Sequence, residues 1–302
     1  MAINLKDTLV IGISSRALFD LEKENALFDK LGVEEYKRYQ IENENIPLPK
    51  GTAYHLIESL LKINTYKKDK QLIEVVVMSR NSPDTGLRIL NSISHYALPI
   101  TRSAFTSGEP LSDYVQSFEV DLFLSKNEFD IQDIINSKKC AAALIYDPPK
   151  DYTPDAHTVR IAFDADAVIF SDDSEKIFKS QGLEKFQENE RRNENVPLPE
   201  GPFAKFIKLL SKVQASLSDK LIRIAIVTAR DYPANIRVIK TLRSWGVSVD
   251  EAFFLGGVPK DKVLKAFNAH IFFDDQDLYV KPASDVVPAS RVPYKKVNFE
   301  RK

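Results

Sequence analysis

The sequence predicts an α/β protein made of two tandem parallel-sheet domains, residues 1–150 and residues 151–302, with a small helical cap inserted in the second. Three observations carry this prediction. Short apolar runs rich in Val, Ile and Phe alternate with longer stretches of helical period, the pattern of buried parallel strands joined by crossover helices. The text of the first half returns in the second at an offset of 150 residues. Several apolar runs of the second half end on acidic or hydroxyl side chains, and strand carboxyl ends are where open α/β sheets hold ligands.

Taken in order, residues 8–19 read as a strand and its exit. Residues 22–40 carry an apolar helical period through Leu21, Leu27, Phe28, Leu31, Tyr36 and Tyr39. A Pro-rich turn, Asn43-Glu-Asn-Ile-Pro-Leu-Pro-Lys-Gly51, precedes a helix over about 52–63 and the strand Ile73–Met78. After a break at Pro83 come a helix over 84–95, a short strand at 103–105, a helix over 110–118 and the strand Val120–Leu124. In the second half the apolar run Arg160–Phe170 is interrupted by Asp164 and Asp166, and 63 residues then separate Asp164 from Thr228. That interval exceeds one crossover helix, so of the helical stretches 174–191 and 202–216 one is read as the crossover and the other as the cap. Leu221–Arg230 is a second buried-type strand ending on Thr228, Gly256-Gly-Val-Pro259 a turn opening a helix at Lys260, and His270–Asp275 a strand ending on an acidic pair. Pro282–Lys302, with three prolines, reads as an extended surface tail.

The repeat is direct. Asn43–Gly51 falls on Asn193–Gly201 with seven of nine residues identical, Val75–Met78 falls on Ala225–Thr228, and Arg80 on Arg230. One residue later in register, at an offset of 149, Phe105 meets Phe254, Gly108 meets Gly257 and Leu122–Leu124 meets Ile271–Phe273. A period this long means duplication of a whole domain and not a solenoid. The polar positions do not survive it: Asp164 is matched by Ser14, Asp166 by Arg16, Thr228 by Met78, Lys260 by Leu111, and Asp274 and Asp275 by Ser125 and Lys126. The first domain is therefore expected to be degenerate and non-catalytic, with Arg16, Lys126 and Arg88 as cations that could approach an anionic ligand.

Composition excludes several classes. Lys+Arg 42 against Asp+Glu 43 leaves a formal charge of -1, which gives no reason to expect a nucleic acid polymer or a membrane surface as partner. The single Cys140 forms no intramolecular disulfide, and the four scattered histidines offer no zinc spacing. The first residues lack the basic and apolar regions of a secretory signal, and no apolar run reaches the roughly 18 residues of a membrane helix, so a cytoplasmic location is expected. Dinucleotide, P-loop and serine-hydrolase motifs are absent from the sequence. A homo-oligomer stays open.

Asp164-x-Asp166, Thr228, Lys260 and the pair Asp274, Asp275 stand in an order that resembles the four signature motifs of the haloacid-dehalogenase-like (HAD) phosphohydrolases. Phe163–Val168, Asn193–Leu198, Lys240–Gly246 and His270–Gln276, with Ile13–Phe19 and Asn91–Tyr96, are similar to the cytosolic type I 5'-nucleotidases. The resemblance runs from about Val10 to about Tyr294 and implies two HAD-like Rossmannoid domains, the second acting on a nucleoside 5'-monophosphate with Mg2+ as cofactor. It implies Asp164 as nucleophile and metal ligand, and Asp166 as leaving-group acid, then water-activating base, its carbonyl on the metal. Thr228 and the N–H groups of Ala229 and Arg230 would bind phosphoryl oxygens, and Lys260 would neutralise charge. Asp275 is favoured over Asp274 as the remaining metal ligand, and Arg16 is a candidate substrate contact. The alternatives are a HAD phosphatase for another small phosphate ester, such as a sugar phosphate, and a nucleotide-binding regulator without turnover.

Overall fold

In the computed structural model of the chain, residue 5, residues 7–67 and residues 70–294 are described. The described residues divide into two compact units, one ending at Ile145 and the other beginning at Tyr146.

The first unit comprises β1 (Leu9–Ile13), α1 (Ser15–Leu18), α2 (Glu22–Leu31), α3 (Val33–Glu42), α4 (Tyr54–Ile63), β2 (Ile73–Ser79), α5 (Pro83–His95), β3 (Arg102–Phe105), β4 (Leu122–Ser125), α6 (Glu128–Ser137) and β5 (Ala141–Ile145). Its strands lie in the order β3-β2-β1-β4-β5, parallel throughout, with Ile11 of β1 opposite Val75 on one side and Leu122 on the other. All of β1 and β2 is buried, because helices cover both faces of a parallel sheet and leave no strand position for water. Two expectations are corrected. The helix over 22–40 is two helices, since Gly32 sits at φ 83° between α2 and α3. The helix over 110–118 shrinks to a tight turn at Leu111–Asp113, because Glu119 turns left-handed at φ 57° to bring Val120 back onto Val115 before β4. No element was expected for 126–150, where α6 and β5 complete this unit's sheet.

The second unit comprises β6 (Val159–Phe163), α7 (Asp173–Arg192), α8 (Ala204–Ala215), β7 (Ile222–Thr228), α9 (Ala234–Ser244), β8 (Glu251–Phe254), α10 (Asp261–Phe267), β9 (Ile271–Asp274), α11 (Asp277–Ser284) and β10 (Ala289–Arg291). Its strand order is β10-β9-β6-β7-β8, again parallel. α8 buries Phe206, Ile207 and Leu210 and is the crossover, whereas α7 is mostly exposed and breaks at Gly182 (φ 82°). The expected tail is corrected: Pro282 lies inside α11, and Ala289 of β10 pairs with Phe272 of β9, because Ala289 and Val292 are fully buried. Residues 295–302 of that expectation lie outside the described residues.

The phrase shared by both halves has a mechanical job. In the second unit Pro199 accepts the N–H of Ser171, while Gly201 and Phe203 donate to Ile169 and Val168, clamping the loop that follows Asp164. A Cβ on Gly201 would stand 2.3 Å from the Phe170 carbonyl oxygen, so only glycine lets the two backbones approach this closely. Gly51 is equally confined, 2.9 Å from the Ala17 carbonyl oxygen.

Candidate active site

In the second unit, β6 runs on into β7 and β8 on one side while β9 and β10 lie on the other, so the strand order reverses between β6 and β9. The crevice of an open α/β sheet opens at the carboxyl ends of such a pair, and here those ends deliver Asp164 and Asp274. Asp164 is anchored by its own N–H, which donates to Phe273 at 2.8 Å. Lys260, just ahead of α10, spans the two acids: its Nζ donates to Asp164 Oδ1 and Asp274 Oδ2, each at 2.6 Å. Lys260 and Asp164 are 3% and 5% exposed and Asp274 is fully buried, so these charges hold one another with little help from water.

Asp275 is the third acid. Carboxylate oxygens of Asp164, Asp274 and Asp275 lie within 4.8 Å of one another. One ammonium cannot balance three carboxylates. Burial, then the neighbouring Asp274 and Asp166, push Asp164 up to about 7 against the pull of Lys260. Burial and then Asp164, Asp274 and Glu175 push Asp275 up to about 8. Burial works against the Lys260 ammonium, but Asp164 and Asp274 outweigh it and hold it above its usual range. Asp275 Oδ1 is buried without a hydrogen-bond partner. An orphaned carboxyl oxygen beside two further carboxyl groups, with no nitrogen or sulfur donor, fits a hard divalent cation with oxygen ligands.

The second group of site residues surrounds Asp166. After Asp164 the chain makes one tight turn, Ala165–Ile169, with Asp166 extended (φ -77°, ψ 142°) and Ala167 left-handed (φ 58°). The Asp166 carboxylate meets Arg230 in a two-pronged pair, Nε to Oδ2 at 2.7 Å and Nη2 to Oδ1 at 2.6 Å. Arg230 Nη1 also donates to Glu190 at 2.7 Å, and Arg237 and Ser174 donate to the other Glu190 oxygen at 3.0 and 2.9 Å. The Arg230 guanidinium is thus engaged by two carboxylates, which raise its pKa against the effect of burial. Thr228 is buried at the end of β7, and its Oγ1 accepts the Arg230 N–H at 3.3 Å, which leaves the hydroxyl proton available; Ala229 follows it directly.

Sequence reasoning missed Glu190, Arg237 and Ser174. Glu190 lies on a mainly polar helix, where an acid is ordinarily solvated, and its partners Arg230 and Arg237 make it a buried ion. Arg16 lies in the first unit, paired with Glu22 at 3.0 Å. Lys126 reaches the same carboxylate at 2.9 Å. Arg88 is buried on Glu24 at 2.9 Å and Gln40 at 3.1 Å, which makes it part of the packing and not a free cation.

A parallel α/β unit with a buried aspartate after its central strand, a lysine bridge and a closing acidic pair has the fold of the HAD-like class. Within it the chain belongs to the 5'-nucleotidase family, whose model, described as 5'-nucleotidase, matches residues 1–299. Over 290 residues the chain is 35% identical to human cytosolic 5'-nucleotidase 1B, an alignment covering 92% of this chain and 47% of that protein. The chain therefore spans about half the length of this curated relative. Among the described residues no helix is long and apolar enough to cross a membrane.

Proposed function

We propose that the second unit is a Mg2+-dependent 5'-nucleotidase that cleaves nucleoside 5'-monophosphates to nucleoside and phosphate. The observation that carries the reading is the Lys260 bridge between Asp164 and Asp274 beside the orphaned Asp275 oxygen, in a chain of the 5'-nucleotidase family. Asp164 and Asp275, with Asp274 beside them and the Asp166 carbonyl, would hold the cation. When bound, Mg2+ masks the negative charge of the phosphoryl oxygens.

Asp164 then attacks phosphorus, forming an aspartyl-phosphate as the bond to the 5'-oxygen breaks, and Asp166 gives its proton to that oxygen. Asp166 next takes a proton from the water that attacks the intermediate, releasing phosphate and restoring Asp164. Lys260 fixes the orientation of Asp164 and balances its charge, and the Thr228 hydroxyl donates to a phosphoryl oxygen. Arg230 acts as a positioning residue for Asp166, and Glu190 holds Arg230 in place. The name of the human relative supports a cytoplasmic location.

The first unit is, in this reading, a duplicated copy that has lost turnover. Hydrogen bonds repeat with the text: Arg88 donates to Ile46 as Arg237 does to Val196, and Ser92 accepts from Leu48 as Thr241 does from Leu198. Assay of the purified chain against nucleoside monophosphates and sugar phosphates, with and without Mg2+, tests the proposal. Phosphate release from the nucleotides with Mg2+ alone is expected; preference for sugar phosphates, or no release at all, would overturn it.

A further inference from the structure

The first unit contains a cavity of about 660 Å³ at the carboxyl ends of its strands, within the range of small-molecule sites. Its floor is made of donors. Ser14 Oγ accepts the Ala17 N–H and Ser125 Oγ the Asn127 N–H, so each of these buried hydroxyls keeps its proton to give, while Ser79 Oγ accepts the Asn81 N–H and shares a further bond with Ser15 Oγ at 3.1 Å. Two further donors are buried without partners: Arg16 Nε, and Asn81 Nδ2, whose amide oxygen is occupied by the Tyr36 hydroxyl. The buried acids of the lining are already engaged, Glu24 by Arg88 and Asp130 by Arg80, while Glu34 is exposed. Overhead, Phe28 of α2 and Tyr36 of α3 meet edge to face with ring centroids 5.7 Å apart, beside Leu21 and Val33.

Donors at the base and aromatic rings at the roof select a ligand with a cluster of acceptor oxygens at one end and a planar or apolar body at the other. We propose that this cavity binds a phosphorylated small molecule with an aromatic body, without metal and without turnover. The phosphoryl oxygens rest on Ser14, Ser79, Ser125, Arg16 and Asn81, and the body lies against Phe28 and Tyr36. Metal is dispensable here because Ser14 and Ser125 stand where the second unit carries the acids Asp164 and Asp274, and Arg16 adds a cation. A buried anion is stable only with such donors, and each charge-assisted bond contributes strongly.

The test uses the full chain carrying Asp164→Asn, in EDTA, so that it does not depend on hydrolysis in the second unit. Calorimetric binding of a nucleoside 5'-monophosphate, of the parent nucleoside and of inorganic phosphate is measured, then repeated with Asn81→Ala and with Arg16→Gln added. The monophosphate is expected to bind at least about 10-fold more tightly than the nucleoside, and each added substitution to weaken it by about 10-fold or more. Melting curves report whether each variant folds, and if Asn81→Ala does not, Arg16→Gln decides. The proposal is overturned by absence of metal-free binding, by equal affinity for nucleoside and monophosphate, or by affinity that both substitutions leave unchanged. Failure of turnover in the second unit would leave all of these outcomes readable.

Discussion

Replacing Lys260 with Met keeps the length of the side chain and removes the one ammonium that bridges Asp164 and Asp274 at 2.6 Å each. All three groups are at least nine-tenths buried, so water cannot replace the lost cation. Removing one partner of a buried ion pair costs about 3–5 kcal/mol. For a unit of this size that corresponds to a melting point lower by roughly 6–20 °C. The cost must also depend on pH. Burial and mutual repulsion push Asp164 up to about 7 and Asp275 up to about 8, so at pH 8 Asp164 is mostly anionic and Asp275 about half so, and the loss is the larger of the two. At pH 5.5 both already carry protons, Lys260 has fewer anions to hold, and the loss falls by roughly half. Trp245 makes the assay specific, because it is the chain's one tryptophan and packs on Phe170 at 5.3 Å within the second unit. Its fluorescence during urea unfolding in EDTA, at pH 5.5 and pH 8, reports that unit. A loss below about 1 kcal/mol at pH 8, or an equal loss at both pH values, would refute the reasoning, since exposed pairs behave that way.

Asp164→Asn is expected to lower nucleotide hydrolysis by at least about 10³-fold while leaving the fold intact, as steady-state rates and circular dichroism would show. Asp166→Asn should slow a nucleotide far more than an activated aryl phosphate, whose leaving group needs no proton; equal slowing of the two would remove Asp166 from the acid role. Metal-free stability should fall between about pH 4 and pH 8, because the folded chain retains protons on Asp164 and Asp275 that the unfolded chain has released. The same protons compete with a cation, so the stabilisation given by Mg2+ should grow across that range, and calorimetry showing a constant Mg2+ effect would count against the carboxylate cluster as the metal site. Glu190→Gln, which leaves Arg230 and Arg237 facing a neutral amide, should cost roughly 2–4 kcal/mol in urea unfolding and raise the mobility of Asp166.

The frame of each unit was legible in the sequence because buried parallel strands announce themselves as apolar runs, and Ile73–Met78 and Leu221–Thr228 are such runs. The strands β8 and β10 were not. β8 and β10 have four and three residues, too few for any period to show, and β10 stands among prolines that suggest a loop. Asp164, Lys260 and Asp274 could be paired in advance only through their order along the chain. Their burial, and the division of Lys260 between two acids, follow from where β6, β9 and the start of α10 converge. The grip of Arg230 on Asp166 was hidden for a related reason, since a residue two positions past a strand end can turn toward a ligand or toward a neighbour, and Glu190 decides which.

Glu190 also sharpens the relation between the halves. In the second unit the buried acid is Glu190 of α7, with Ser174 donating to it and Arg237 paired against it. At the matching places in the first unit stand Glu24, Gln40 and Arg88, and there the arginine meets Glu24 and the Gln40 amide oxygen. The acid stands at the second of these two helical positions in the second unit and at the first in the first unit, and the arginine in each has one carboxylate partner on them. A buried guanidinium without an anion would cost several kcal/mol, so each unit needs this pair in one form or the other. Ser14 and Ser125 carry no such requirement, because hydroxyls in place of carboxylates avoid the mutual repulsion of a cluster such as Asp164, Asp274 and Asp275. Both units therefore hold a buried arginine–carboxylate pair, while the strand ends of the second present carboxylates and those of the first hydroxyl and amide groups.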